Sequence, residues 1–180
     1  MNKRTRVWMG LGSNLGDSLK ILQQAWQTLG QDETISLIAL SHPYLTSPVG
    51  MESECLFLNA VGILETSLDP EKLLTLLQQV ERGFGRNKKT GADGYQDRLL
   101  DLDILYYGDQ VLSFSNLVVP HPHIADRLFV LAPLTEIDPD HCDPLTGKSA
   151  KSMQNELQQQ LNSGREVRQE IKRNTWPDTS

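Results

Sequence analysis

The run Arg98-Leu99-Leu100-Asp101-Leu102-Asp103-Ile104-Leu105 holds the residue types whose spacing could do chemistry in this 180-residue chain. Read as a β-strand, it alternates faces: Asp101 and Asp103 point one way, and Leu100, Leu102 and Ile104 point the other. The apolar side can bury against a core. The acidic side must look into water or into a site. Carboxylates at i and i+2 on a strand stand roughly 6–7 Å apart at their Cα atoms. Their oxygens can converge on one Mg²⁺ or bracket two metals ~3.5–4 Å apart. Hard divalent ions that work on phosphates are commonly held in this way, by one or two carboxylates plus phosphate oxygens.

Cations surround the acidic pair. Arg98 lies three residues before Asp101, Arg86-Asn87-Lys88-Lys89 lies upstream, and Arg127 follows near His121 and His123. That mixture suits a polyphosphate, whose charge is divided between metal and guanidinium groups. Taken alone, Asp-x-Asp reads first as a solvated strand end with salt-bridged surface charge, because short motifs recur by accident.

The elements that must position these groups can be read along the chain. Thr5 to Leu11 is expected to be a strand running into the Gly-rich turn Gly10-Leu11-Gly12-Ser13-Asn14-Leu15-Gly16-Asp17. Asp17 or Ser18 caps a helix with Leu19, Leu22, Ala25, Trp26 and Leu29 at helical spacing, ended by Gly30. The turn reads G-x-G-x-x-x-G, which departs from the dinucleotide fingerprint. Thr34 to Leu40 and Phe57 to Glu65 give two more strands, and Tyr44 to Met51 reads as a loop fixed by Pro48 and Gly50. Asn59, within an apolar strand, needs its amide satisfied by a neighbouring loop or by a ligand. Asp69 and Pro70 open a second helix with a Leu73, Leu76, Leu77, Val80 stripe. That helix carries Glu81, either a surface acid or a buried partner that orients a site. Residues 87–96 read as a polar loop of the kind that closes over bound phosphate. Arg127 to Leu134 packs, and Ala150 to Leu161 forms a last helix. The polar tail from Asn162 is expected to fray. His121 and His123 lack the Cys or carboxylate spacing of a zinc site. Gly147-Lys148-Ser149 lacks the leading Gly of a P-loop.

Composition bounds the rest. Hydrophobic content of 38% and charged content of 22% are those of a folded domain. A net charge of −6 argues against broad nucleic-acid binding. No apolar run approaches the ~20 residues of a membrane span, and the basic N-terminus is not followed by the apolar stretch of a signal peptide. Cys55 and Cys142 have no CxxC spacing, so reduced thiols in the cytoplasm are expected. Alternating short strands and helices suggest an α+β domain, a mostly antiparallel sheet backed by helices.

Taken together, several stretches resemble the 6-hydroxymethyl-7,8-dihydropterin pyrophosphokinase family. They are Gly12-Ser13-Asn14-Leu15-Gly16-Asp17, Tyr44 to Gly50, Phe57-Leu58-Asn59-Ala60-Val61, Glu81 through Arg86, Arg98 to Leu105, and Val119 to His123 through Arg127 to Leu134. They occur in family order from about Gly10 to Ile137. The resemblance implies a ferredoxin-like two-layer sandwich over residues 1–161, followed by a polar C-terminal tail, 162–180. It implies transfer of the β,γ-pyrophosphoryl group of ATP to the pterin hydroxymethyl oxygen, releasing AMP. On the same basis two Mg²⁺ ions fall to Asp101 and Asp103. Arg86 and Arg98 become catalytic phosphate clamps beside those two acids, and Glu81, Ile104, His121 and Arg127 join them at the ATP site. Thr46, Pro48, Val49, Phe57, Asn59, Tyr95 and Phe129 fall at the pterin site, with Tyr95 and Phe129 as aromatic walls. Asp101 could also accept the alcohol proton. The expected partners are ATP and the hydroxymethyl pterin, bound by a cytoplasmic monomer without nucleic acid or membrane.

The chain departs from the family pattern just before Arg98, where Gln96-Asp97 replaces Gly/Ala-Pro, and at Glu52-Ser53-Glu54-Cys55. The loop from Arg86 to Arg98 is also longer than in compact members. These departures leave a second reading open, a non-catalytic paralogue that binds nucleotide or pterin. A small RNA-binding domain fits poorly with the acidic charge.

Overall fold

The computed structural model describes residues 3–47, 56–85, 97–164 and 169–177. Strand β1 (Thr5–Ser13) leads through the Gly-rich turn into α1 (Ser18–Leu29). Asp17 caps that helix by accepting from the Lys20 amide at 3.2 Å. Next come β2 (Ile35–Leu40), β3 (Tyr44–Thr46) and β4 (Phe57–Thr66). Helix α2 (Pro70–Gly83) starts at Asp69, whose carboxylate accepts from the Lys72 amide, with Pro70 in the first turn where its missing N–H costs nothing. β5 (Asp101–Tyr107) is followed by the ribbon β6 (Leu112–Ser113) and β7 (Val118–Val119), then by α3 (Leu128–Ile137), α4 (Ala150–Asn162) and β8 (Ile171–Arg173).

The main sheet is antiparallel and runs β5-β1-β4-β3-β8, with β2 also on β4. Thus β4 is inserted between β1 and β2, and β5 flanks β1 on the other side. This is the interleaving of two β-α-β units.

Each face of the sheet has its own core. Val7, Met9, Leu11, Leu58, Leu64, Leu102 and Ile104 meet α1 and α2 on one side. Trp26 of α1 lies so close to β4 that a Cβ at Gly62 would collide with its ring. On the other side Trp8, Val61, Ile63 and Leu105 meet α3 and α4. Helices therefore cover both faces, one layer more than the expected two-layer sandwich. The physical source of the extra layer is α3. It is apolar almost all round, with Leu128, Val130, Leu131, Ala132, Pro133 and Leu134 buried, so it shows no stripe that would assign it to a face.

Two local expectations are corrected. Tyr44 to Thr46 is a strand, formed because β4 and β8 offer main-chain partners on both edges. The expected frayed tail is ordered over residues 169–177. β8 pairs Ile171 with Thr46 and Arg173 with Tyr44, and the Trp176 indole donates to the Ser41 carbonyl at 2.8 Å. Among the described residues no helix is long and apolar enough to cross a membrane.

Candidate active site

The sheet register assembles the site. Gly12 of β1 stands opposite Asn59 of β4 and Asp101 of β5, and Gly10 stands opposite Val61 and Asp103. Side chains in such a row share one face. The row Asn59–Gly12–Asp101 therefore carries an amide and a carboxylate on either side of a residue with no side chain. The gap is required. A Cβ on Gly12 would stand 3.1 Å from Asn59 Oδ1 and 3.9 Å from the Asp101 Cβ. The resulting cleft is lined by Gly10, Gly12, Asn59, Asp101, Asp103, His121, Arg127 and Phe129. The alternation expected for β5 holds: Leu100, Leu102 and Ile104 are buried in the α1/α2 core, opposite the two acids. A wider groove lies along β3 and β8, between Leu45, Ser47, Leu56 and Lys172, and has no paired carboxylates among its described lining residues.

Arg98 Nη1 lies 2.7 Å from Asp101 Oδ2, with both side chains largely shielded from water. Asn14 holds this end of the strand through three bonds. Its Nδ2 donates to Asp97 Oδ1 at 2.6 Å, its Oδ1 accepts from the Arg98 amide at 2.7 Å, and its own amide donates to the Arg98 carbonyl at 3.1 Å. The Asp97 departure thus ties Asp97 to the Gly-rich turn. Asn14 was not among the residues singled out for the site. Its signal was available, as a buried polar residue in a Gly-rich turn needs partners.

Asp103 shows the electrostatic character of the cleft. Burial, then the neighbouring Asp101 charge, push its carboxyl up to about 7, against the opposing pull of Arg127. Two hard oxygen donors side by side, with Asp103 disfavoured as an anion, match a divalent cation, which would relieve the repulsion. The residues therefore fit Mg²⁺. His121 is pushed down to about 4 by burial, then by Arg127 and His123. Its Nδ1 accepts from the His123 amide at 3.2 Å. The imidazole is thus neutral at pH 7, with its proton on Nε2, a donor without formal charge. The Arg127 guanidinium lies 5.6 Å from the Phe129 ring centroid.

At the other end of the row, Asn59 Nδ2 donates to Thr46 Oγ1 at 2.9 Å, which satisfies the buried amide and orients its oxygen toward the cleft beside Gly12. Phe57 faces Thr46 across β3 and β4. Glu81 is the buried partner. Its carboxylate accepts from the Leu102 amide at 2.8 Å and fastens α2 to the outer edge of β5. Ile104 buries its side chain on the opposite face, as the alternation expects. Leu102 turns its amide away from β1, so the two-residue period directs the Ile104 main chain to that same edge. Arg86, Pro48, Val49 and Tyr95 lie outside the described residues.

Comparison with known proteins agrees with this geometry. Residues 8–139 match the family model for 7,8-dihydro-6-hydroxymethylpterin-pyrophosphokinase (HPPK). The chain is 42% identical over 131 residues to a 2-amino-4-hydroxy-6-hydroxymethyldihydropteridine pyrophosphokinase of Bacillus subtilis, covering 73% of this chain and 77% of that protein. The enzyme of the same name from Aquifex aeolicus is 35% identical over 150 residues, or 83% of this chain and 91% of the relative. In fold, the chain is similar to the Plasmodium falciparum HPPK-DHPS structure with pteroate, with a TM-score of 0.79 at 14% identity over 96% of this chain. It spans 48% of that longer chain. With Asn59, Asp101 and Asp103 set in one cleft, residues 8–139 matching the family model, and the two named bacterial enzymes matched over 77% and 91% of their length, the chain belongs to the 7,8-dihydro-6-hydroxymethylpterin-pyrophosphokinase family.

Proposed function

We propose that this protein transfers the β,γ-diphosphoryl group of ATP to the hydroxymethyl oxygen of 6-hydroxymethyl-7,8-dihydropterin, a step of folate biosynthesis. The observation that carries this reading is the row across β4, β1 and β5, with the Asn59 amide at one end and Asp101 and Asp103 at the other, near Arg98 and Arg127. The pterin oxygen forms a bond to the β-phosphorus as the bond to the α,β-bridging oxygen breaks, so AMP leaves and the alcohol proton must be accepted.

Such a transfer asks the protein mainly for position and charge stabilisation. Asn59 and Thr46 orient the pterin edge, with Phe57 and Phe129 at its sides and Pro48, Val49 and Tyr95 expected to complete the pocket. Arg98 and Arg127 neutralise phosphate oxygens, joined by Arg86. His121 adds a neutral donor that remains in the donor form at physiological pH. Glu81 and the Ile104 main chain fix the edge of β5 beside the nucleotide. Asp101 is assigned as acceptor of the alcohol proton. Asp101 and Asp103 would hold two Mg²⁺ ions, which when bound supply charge neutralisation for the triphosphate. The β-α-β interleaving supports a ferredoxin-like core, here with an added helical layer. Two cysteines without paired spacing support a cytoplasmic setting, and the reading takes the protein as a monomer.

The test is a product assay with ATP, Mg²⁺ and the hydroxymethyl pterin, separated by HPLC. AMP and pterin diphosphate should appear in equal amounts. ADP in place of AMP, or no nucleotide product, would overturn the reading. Nucleotide binding without turnover would instead support the non-catalytic paralogue.

A further inference from the structure

We propose that Gln169, on the C-terminal arm that runs from β3 to α3, is a positioning residue for Arg127. The proposal rests on the phosphate-binding reading of Arg127. The arm lies beyond residues 8–139, the span matched by the family model.

The argument starts from the N-terminus of α3. Arg127 occupies the N-cap position with extended backbone and makes no side-chain cap bond there. The first amide of the helix therefore needs an acceptor from elsewhere. Gln169 supplies it: Oε1 accepts from the Leu128 amide at 2.8 Å. The other end of the same planar amide, Nε2, donates to the Asp126 carbonyl at 2.8 Å. One side chain thus grips the peptide groups on both sides of Arg127, fixing the direction in which the Arg127 Cα–Cβ bond leaves the backbone. That bond aims the guanidinium at the cleft it shares with Asp101, Asp103 and His121.

Gln169 is itself held from the pterin side. The neighbouring Glu170 carbonyl accepts from the Ser47 amide at 3.2 Å, and the Glu170 amide donates to Ser47 Oγ at 3.3 Å. Ile171 pairs with Thr46, whose hydroxyl accepts from Asn59. Farther along, Arg173 Nε lies 3.5 Å from Glu136 of α3. The arm is therefore a strap from β3 to α3, and Gln169 is the point at which it meets the functional backbone.

The test is steady-state kinetics on the full chain with Gln169→Met, a near-isostere that loses both bonds, and Gln169→Glu, which keeps the acceptor for Leu128 and loses the donor to Asp126. The KM for ATP should rise roughly three- to tenfold in Gln169→Met, because the aim of a charge-assisted contact is relaxed. It should rise less in Gln169→Glu, and the pterin KM should stay within about twofold in both. A merely structural role would lower the melting temperature and the active fraction, yet leave the ATP KM of the remaining enzyme unmoved. That result, or equal rises in both KM values, would overturn the proposal. Should Gln169→Met fail to fold, Gln169→Glu decides by the same comparison. If the wild type forms no AMP, the catalytic reading fails by itself. Calorimetry with Mg²⁺ and a non-hydrolysable ATP analogue then decides for Gln169: weaker binding in the variants supports it, and equal binding, or none by the wild type, overturns it.

Discussion

Replacing Asp103 by Asn should make the metal-free protein more stable while destroying its activity. Asp103 is half-buried on the cleft floor, beside Asp101 and with its carboxyl pushed from 3.8 up to about 7. The folded state therefore keeps a proton that the unfolded chain releases, and stability falls as pH rises from about 4 to about 7. The full penalty stands above that window and vanishes below it. At about 1.4 kcal/mol per pH unit the ceiling is roughly 4 kcal/mol. Asn, isosteric and uncharged, removes that charge but replaces an acceptor oxygen with an NH2 donor that must find a partner, so it should recover about half of that. For a chain of this size ~2 kcal/mol corresponds to a rise in Tm of roughly 4–8 °C. The assay is thermal unfolding in EDTA at pH 8 and again at pH 4.5. The gain should be present at pH 8 and fall to about a quarter of that value at pH 4.5. Added Mg²⁺ and ATP should stabilise the wild type and leave Asp103→Asn unmoved. A variant less stable than wild type at pH 8, or one with the same gain at both pH values, would refute the electrostatic reasoning.

Gly12→Ala would put a methyl group 3.1 Å from Asn59 Oδ1, between the amide and Asp101, so kcat/KM should fall by about tenfold or more with little loss of Tm; unchanged kinetics would show that the row is not the floor of the substrate cleft. Thr46→Val removes the acceptor for Asn59 Nδ2, and the pterin KM should rise about tenfold while the ATP KM holds, as steady-state rates with each substrate varied will show. Trp176→Ala removes the bond to the Ser41 carbonyl and the indole packed on the α1/α2 core, costing roughly 2 kcal/mol in urea unfolding. An unchanged midpoint would mean the end of the arm is not docked in solution.

Much of this site could be read before the fold was known, because its chemistry is written in local patterns. β5 shows both its core face and its acidic face by alternation, and the pattern holds. The helix starts at Asp17 and Asp69-Pro70 are local as well, and the structure shows both caps. The features that escaped are those made by tertiary partners. Tyr44–Thr46 and Ile171–Arg173 are three-residue strands with no periodicity to detect, and each exists because a neighbour supplies main-chain bonds. α3 contains Pro133 and is buried nearly all round, so the usual one-sided stripe is missing. Asn14 and Gln169 act through backbone groups that are distant in sequence, 84 residues away for the Arg98 amide, and no local spacing could announce that. Ile104 is the opposite case. The alternation already sets its side chain in the core, and the structure adds that its main chain faces the outer edge of β5.

The central claim is that Asp101 and Asp103 together bind the metal of a metal–triphosphate complex. Mn²⁺ titration followed by electron paramagnetic resonance, with a non-hydrolysable ATP analogue present, measures that binding directly. The wild type should take up two Mn²⁺ per chain in the presence of the analogue, and both Asp101→Ala and Asp103→Ala should lose tight protein-bound metal. Wild-type stoichiometry and affinity retained in the double variant would contradict the assignment.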